Sequence, residues 1–571
     1  MATLIDDLTD KFLLSYDPSK GRDQVRSYPH YFLGSFVLSA KDNRKFIIDG
    51  QQRLTSITLL LMFLRNLAEE ENVTITNVDD LIFSEQYGKQ SFNIEVEERQ
   101  KCMERLFRGE EIDMEESGES VRTMYNRYGD LCDLFPNELR GETLPYFVDW
   151  FIENVDMVEI TAYSDDDAYT IFETMNDRGL ALTPADMLKG YLLANMDDAR
   201  REEANMLWKK RILSLIEDDR TEDEVFLKTW IRANYAETIR KRERGSTNQD
   251  YEKIANAFHK WVRDEKEKVG LQSSGDYFRF MTEKFDRYAR LYLKIRNAES
   301  EYDQTLDTVF YNNYHTFPYQ KLLILSAISL EDSDDVALKK MQLVSRYIEM
   351  FIVRRSVNQR TLGSSAIQYT MFLLVRELRD KPLDEIAQIL RTKIEEMEES
   401  FDGVPGLHLH QQNKRFIRFL LSRITQHVES KSGIESSVEA YMDNKIKKPF
   451  EIEHILGDAY DQFGEGYEDE ADFQSYRNSI GALVLLPRGF NQAFSNRPYE
   501  EKLQHYPSQN LWAWSLHSLC YELNPSFKHY ISESGLPFSH HDQFGKEEIT
   551  ARCQLLKDIC EEIWHVDRLQ V

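Results

Sequence analysis

Paired cysteines are missing from this sequence. Its five cysteines are scattered along 571 residues, and no two of them form a CxxC pair. That spacing argues against a zinc ribbon and against a disulfide framework. We interpret these cysteines as small core residues.

Long apolar runs are missing as well. No apolar run approaches the roughly 18 residues that cross a bilayer. The first residues, MATLIDDLTDKF, lack the basic and apolar regions of a signal peptide. We therefore expect a cytoplasmic protein without a membrane partner.

Positive charge is scarce relative to negative charge. The chain has 71 Lys and Arg residues against 99 Asp and Glu residues, a formal net charge of −28. Because non-specific duplex binding depends on Lys and Arg, this balance argues against a protein that coats DNA. Basic clusters occur at 209–211, 240–244, 354–355 and 445–448, and each is most simply a solvated helix face. Only the last lies beside a plausible catalytic motif.

Length and patterning predict a multidomain α+β protein that is predominantly helical. At roughly 150 residues per domain, the length suggests about three to four domains. Residues 1–196 have the pattern of a small α/β domain. Residues 68–145 are acidic, and within them the run GEEIDMEESGES predicts a solvated excursion. Residues 197–435 carry apolar residues at helical spacing and predict a central helical bundle. Residues 436–571 predict a third domain.

The first candidate site lies in a strand, turn and helix pattern over residues 43–67. A β-branched and aromatic run precedes the turn, and apolar residues recur at helical spacing after it. The turn holds Asp49, Gly50, Gln51, Gln52 and Arg53. Arg53 could bind a phosphate, Asp49 could hold a metal or a ribose hydroxyl, and the amides could orient a water or read a base. No Walker-type lysine loop accompanies the turn, so a polar connection with Arg53 paired to Asp49 is an open alternative.

A second turn could close over the same pocket. Asn176, Asp177 and Arg178 precede Gly179 at the end of a predicted helix. Thr183 and Pro184 then start the next helix.

The second candidate site lies in the last predicted domain. FEIEHIL alternates as a strand that places Glu453 and His454 on opposite faces at its end. Residues 481–486 form a second apolar strand, and the residues from Asn491 onward lead into a polar helix. This is the ββα arrangement that cuts phosphodiesters.

The residue types in this segment suit that chemistry. His454 has a near-neutral ordinary pKa and could take a proton from water. A carboxylate and an amide oxygen suit Mg²⁺, which makes Glu453 and Asn491 candidate ligands. The alternative is that His454 is a hydrogen-bonded core residue.

Three further polar residues could contact the substrate of this site. Asn496 could position it, and Lys502 could meet a phosphate. Arg477 is a weaker candidate for a phosphate contact.

The motifs at both ends of the chain resemble those of one family. FIIDGQQRLTSI, with YFLGS upstream and FETMNDRGLALTPADMLKGYLL downstream, resembles the N-terminal nucleotide-hydrolysing domain of the GmrSD-type modification-dependent restriction endonucleases. That domain is itself similar to the ParB/sulfiredoxin fold. FEIEHIL, NSIGALVLLPRGFN and RPYEEK are similar to the HNH (ββα-metal) nuclease domain of the same proteins.

This resemblance implies a type IV restriction enzyme that acts on modified phage DNA. It implies a nucleoside triphosphate, GTP or ATP, bound at residues 49–53 with residues 176–178 as a weaker addition. It also implies an HNH site in which His454 is the general base, Glu453 and Asn491 hold Mg²⁺ or Mn²⁺, and Asn496 assists. A homo-oligomer is compatible with it.

Two other classes of function stay open at this stage. Ala482 stands where the family commonly has Asn, which favours a nucleotide-dependent DNA sensor with a degenerate nuclease domain. The acidity and the large helical middle are compatible with a scaffold protein.

Overall fold

The structure is a computed structural model that divides into two compact units, Met1–Leu182 and Thr183–Val571. It describes residues 1–41, 44–86, 89–94, 99–110, 119–162, 183–241, 243, 245–489 and 496–570. Most of these residues are helical and the sheets are small, so the prediction of a predominantly helical chain is confirmed. The division into three domains stays a prediction. Within the described ranges, no helix is long and apolar enough to cross a membrane.

The first unit combines a mixed sheet, a hairpin and helices. Its strands are β1 (Tyr31–Lys41), β2 (Arg44–Asp49), β3 (Phe83–Gln86), β4 (Lys89–Phe92) and β5 (Val155–Ala162). Its helices are α1 (Ala2–Leu13), α2 (Gln51–Glu70), α3 (Asp79–Ile82), α4 (Gln100–Phe107), α5 (Glu119–Leu134) and α6 (Leu144–Asn154). In the described part of this unit, the sheet order is β2-β1-β5, with β1 antiparallel to β2 and parallel to β5. β3 and β4 form a separate antiparallel pair.

Helix α2 is anchored by its middle turns. Residues 58–64 are all buried, whereas Gln51 and Gln52 at its start are exposed. A helix segment that is apolar on every side must be surrounded by other elements. The buried middle of α2 therefore holds its first turn at the surface of the unit.

The acidic segment 68–145 contributes side chains to the core of the first unit. Met103 and Leu106 of α4 and Leu131 of α5 are buried in the core of the first unit. Their helical spacing gives each of these helices an apolar face, and that face outweighs the acidic composition. Most of the run that was predicted as a solvated excursion, residues 111–118, lies outside the described residues, so that expectation stays a prediction.

The second unit is helical apart from one short hairpin in its described residues. Its helices up to the hairpin are α7 (Pro184–Ala194), α8 (Asp198–Leu215), α9 (Glu222–Tyr235), α10 (Asp250–Asp264), α11 (Lys266–Val269), α12 (Ser274–Arg279), α13 (Asp286–Ser300), α14 (Asp307–Tyr314), α15 (Gln320–Ala327), α16 (Asp334–Val357), α17 (Ser364–Leu378), α18 (Leu383–Glu395), α19 (Lys414–Lys431) and α20 (Val438–Met442). One hydrophobic core runs through these helices and the C-terminal segment.

The hairpin consists of β6 (Phe450–His454) and β7 (Leu483–Pro487), which pair antiparallel from Phe450–Pro487 to His454–Leu483. Helices α21 (Tyr460–Phe463) and α22 (Glu470–Asn478) lie between the two strands in the chain. After β7 come α23 (Tyr499–Leu503), α24 (Leu511–Trp514), α25 (Ser518–Leu523), α26 (Pro525–Ser534) and α27 (Lys546–Ile563). Arg552 of α27 is buried and donates through Nε to the carbonyl of Gly481, which fixes the entry to β7.

Candidate functional site

The turn between β2 and α2 requires glycine at position 50. Gly50 has a φ of 93°, in the left-handed region that favours glycine. A Cβ atom there would lie 2.5 Å from Cβ of Phe36 on the neighbouring strand β1. The turn and the start of α2 therefore pack directly against the sheet.

Arg53 reaches across this turn to strand β1. Its Nη1 donates to the carbonyl oxygen of Ser35. A Cβ at Gly34, whose φ is 117°, would lie 2.8 Å from the same nitrogen. The glycine of YFLGS thus leaves room for the guanidinium, and the β1–β5 register shifts between Phe32 and Gly34.

The other predicted residues of the turn are placed differently. Gln51 donates through Nε2 to the carbonyl of Ile47 at 3.1 Å, and Gln52 is exposed. The backbone of Asp49 pairs with Val37, while its side chain lies outside the described residues. Residues 176–178, the weaker part of the prediction, also lie outside them.

A cavity of about 1050 Å³ lies on another side of α2. Gln51, Thr55 and Thr58 of α2 line it, at positions i, i+4 and i+7 of one helix face. Aromatic residues form part of the opposite walls, among them Phe36 and Phe92. Arg53 is not among the lining residues, so the motif divides between two sides of the helix.

His454 ends strand β6 in a half-buried position. Burial lowers the pKa of its imidazole to about 4, and the nearby cations Arg477 and Lys502 act in the same direction. Asn478 and the carboxylate of Asp458 act in the opposite direction, with smaller effect. The imidazole is therefore neutral at pH 7, the form in which a histidine accepts a proton.

One hydrogen bond orients this imidazole. Nε2 of His454 lies 3.0 Å from Oδ1 of Asn478, the last residue of α22. Nδ2 of Asn478 donates to the carbonyl of Gln474 at 2.8 Å. The Gln474 amide in turn donates to Asp458 Oδ1 at 3.0 Å. Sequence reasoning missed Asn478, because nothing in the local pattern links it to a histidine 24 positions earlier.

Glu453 faces the opposite way and is bound to Lys502. The Nζ of Lys502 lies 2.8 Å from Oε1 of Glu453 and donates at 2.8 Å to the carbonyl of His454. The side chains are 1% and 5% exposed. Burial raises the pKa of Glu453 and lowers that of Lys502. The Lys502 ammonium is not at the surface, so the prediction that it meets a phosphate was wrong.

Arg477 is a nearly buried cation beside His454. Its side chain is 12% exposed, and its Nε lies 3.7 Å from Asp458 Oδ1. No group in the described chain accepts a hydrogen bond from this Nε. This Nε is itself buried, so it is not open to a ligand from solvent.

The remaining predicted residues are Asn496, which lies near the end of β6, and Asn491. Asn496 is exposed, and its Oδ1 accepts from the backbone N–H of Asp458 at 3.4 Å. Asn491 lies outside the described residues.

The predicted metal site is incomplete in the described part of the chain. No group of three His, Cys, Asp or Glu side chains there could hold a metal ion. Glu453 is already matched by the ammonium of Lys502. The side chains on hand thus do not make a divalent-metal site by themselves.

A lysine loop, residues 445–448, leads into the same hairpin. Lys445, Lys447 and Lys448 are all exposed, and none forms an ion pair with a described acid. The basic cluster at 354–355 differs, because Arg355 pairs with Glu399 at 3.2 Å inside the second unit. The lysine loop precedes β6, and His454 ends that strand four residues after Phe450.

Comparison with protein families matches both ends of the chain. The model described as GmrSD restriction endonuclease, N-terminal domain, matches residues 1–193. The model described as GmrSD restriction endonucleases, C-terminal domain, matches residues 392–559. The first match contains the Gly50 turn and the second contains His454. A search of the curated proteins finds no match.

Proposed function

The chain belongs to the GmrSD restriction endonucleases, whose substrate is DNA. From that premise we propose a type IV enzyme that cleaves or nicks modified foreign DNA at an HNH site centred on His454. We further propose that a nucleoside triphosphate bound at the Gly50 turn controls it, on a ParB/sulfiredoxin-like first domain.

The observation that carries the nuclease proposal is the neutral, oriented imidazole of His454. Its pKa is low because it is half-buried beside two cations. A neutral imidazole can take a proton from a water that attacks a phosphodiester. Geometry and protonation state both suit a general base.

Two cationic features suit the phosphates of the proposed substrate. Arg477 is a cation beside His454, and its positive charge would favour a bound phosphate. The lysine loop offers three unpaired ammonium groups at the other end of β6. A chain of net charge −28 would thus contact DNA through local positive groups.

The proposal includes Mg²⁺ or Mn²⁺, which would stabilise negative charge on the leaving oxygen. Glu453, Asn491 and, from its position near His454, Asp458 are its candidate ligands. The described residues do not complete this site, so the proposed proton transfer from water to His454 does not involve the ion.

The nucleotide proposal rests on the Gly50 turn. Arg53 is held by the carbonyl of Ser35, and among the described residues no side chain caps the start of α2. Helix starts present N–H groups to anions, so GTP or ATP phosphates suit this position. Asp49, Gln51, Gln52 and residues 176–178 complete the proposed site.

The test is cleavage of modified and unmodified plasmid DNA with Mg²⁺ or Mn²⁺, with and without GTP and ATP. His454→Ala should abolish cleavage and leave nucleotide hydrolysis intact. His529→Ala is the matched control, since His529 is an exposed histidine of the same unit that pairs with Glu533 on its own helix. Undiminished cutting by His454→Ala would remove His454 from the mechanism.

A second candidate is a nucleotide-dependent DNA sensor with a degenerate nuclease domain. The buried Glu453–Lys502 pair favours it, because it occupies a carboxylate that the nuclease would use for its metal. Normal nucleotide hydrolysis without cleavage of any DNA would support this candidate.

A further inference from the structure

The side-chain amide of Asn478 has one orientation that its surroundings accept. Its Nδ2 lies 2.8 Å from the backbone carbonyl of Gln474, an acceptor that requires an N–H donor. A flipped amide would place two oxygens face to face there. Oδ1 of Asn478 therefore faces His454.

This orientation determines where the imidazole proton lies. Oδ1 is an acceptor, and Nε2 of His454 is 3.0 Å from it, so Nε2 must carry a hydrogen. A neutral imidazole has one N–H, which leaves the lone pair on Nδ1. No group of the described chain is hydrogen-bonded to Nδ1.

We propose that Asn478 is a positioning residue that holds His454 in the Nε2–H tautomer and thereby presents Nδ1 to the attacking water. The inference rests on the proposed function of His454 as a general base. It assigns a role to a residue that contacts His454 and is not itself one of the candidate metal ligands.

The backbone around Asn478 is built to hold this geometry. The carbonyl of Asn478 accepts from the N–H of Leu409 at 2.7 Å, and the next residue, Ser479, is bridged to His408. Ser479 is buried and its hydroxyl contacts Cys553 of α27. Since the residue is fixed on both sides, its amide is preorganised rather than adaptable.

A positioning role and a packing role predict different results. Asn478→Leu keeps a similar volume but removes the acceptor, whereas Asn478→Asp keeps an acceptor facing Nε2. Partners that orient a functional histidine are typically worth about 10- to 100-fold in activity. We expect Asn478→Leu to lower the single-turnover cleavage rate at saturating DNA by about that factor, with the half-saturating DNA concentration unchanged.

Asn478→Asp should recover part of the lost rate, because the acceptor towards Nε2 is restored while its second oxygen meets the carbonyl of Gln474 without a hydrogen. Ser475→Ala on the same helix is the control, since its hydroxyl contacts His408 and not His454. Thermal melting of each variant measures any loss of packing.

The imidazole proton can also be observed directly. In protein labelled with ¹⁵N-histidine, the His454 signals are those lost in His454→Ala. They should show a protonated Nε2 in the wild type and a mixture of tautomers in Asn478→Leu.

The outcomes are distinguishable. If His454→Ala abolishes cleavage while Asn478→Leu cleaves within twofold of the wild type, the inference is wrong and the proposed function stands. Equal losses in Asn478→Leu and Asn478→Asp, matched by equal losses of melting temperature, would show a packing role and also overturn it. Cleavage by His454→Ala would remove the proposed function and the inference together.

Discussion

Replacing Lys502 with methionine would remove an ammonium group that is buried against Glu453. The two side chains are 1% and 5% exposed, and the N–O distance is 2.8 Å. The substitution keeps most of the aliphatic stem, so its main effect is to leave a carboxyl group without its cation. It also removes the hydrogen bond to the carbonyl of His454.

The size of the effect follows from the cost of protonating Glu453 and from the hydrogen bond that is lost. Without Lys502, the Glu453 carboxyl can avoid an unpaired buried charge by taking up a proton. For an ordinary pKa near 4.3, this protonation costs about 3.5 kcal/mol at pH 7 and about 1 kcal/mol at pH 5. The lost bond to the His454 carbonyl adds about 1 kcal/mol. We therefore expect Lys502→Met to lower the free energy of unfolding by about 4.5 kcal/mol at pH 7, within the range for broken buried pairs.

The sign of the pH dependence is a second test of the same reasoning. In Lys502→Met the folded-state pKa of Glu453 rises above the unfolded value, so stability is lost as the pH rises. The destabilisation should accordingly shrink to about 2 kcal/mol at pH 5.

Urea unfolding followed by tryptophan fluorescence at both pH values measures these quantities. A double variant, Lys502→Met with Glu453→Gln, should recover more than half of the loss, because no charge is then left unpaired. Lys528→Met, an exposed lysine of the same unit, should stay within about 0.5 kcal/mol of the wild type. A loss below about 1 kcal/mol at pH 7, or one that does not shrink at pH 5, would refute the view that Glu453 is held charged in a low-polarity site.

Three other predictions follow from the site geometry. Gly50→Ala should destabilise the first unit by about 2 kcal/mol or more and weaken nucleotide binding, because residue 50 has a left-handed φ and a Cβ there would meet Phe36. Thermal melting measures the stability and nucleotide titration measures the binding. An unchanged melting temperature would contradict the prediction. Because the pKa of His454 is lowered to about 4, its imidazole stays unprotonated at pH 5.5. The cleavage rate at pH 5.5 should therefore remain within about twofold of the rate at pH 7.5. A collapse of the rate near pH 6.5 would contradict the lowered pKa. Replacing the three lysines of the lysine loop with neutral residues should reduce the slope of log DNA affinity against log salt concentration by about 2.7, without changing the cleavage rate at saturating DNA. An unchanged slope would show that the loop does not contact phosphates.

Patterns within a few residues predicted the local elements well. The strand over 155–162 has the predicted bounds, and the turn at Gly50 joins a strand to a helix as expected. Alternating apolar residues and one left-handed glycine are sufficient for such elements, because strand period and turn geometry depend on near neighbours. The hairpin that ends at His454 was predictable for the same reason.

Contacts between distant segments were not predictable in this way. Lys502 was expected at the surface, but the fold buries it against Glu453, 49 residues earlier. Asn478 reaches His454 because helix α22 returns to the end of β6. Both contacts depend on tertiary packing, to which neither periodicity nor composition refers.

The structure also limits how a nucleotide could use the motif at the start of α2. Gln51 lines the cavity with Thr55 and Thr58, whereas Arg53 donates to Ser35 on strand β1. Side chains two positions apart on a helix diverge by about 200°, so one ligand that contacts both must cross the N-terminal end of α2. No side chain in the described part of the chain caps that end, and N–H groups at a helix start favour negative charge. The phosphates of the proposed nucleotide therefore belong at the helix start beside Arg53, and its base belongs on the Gln51 side, where the cavity of about 1050 Å³ has aromatic walls.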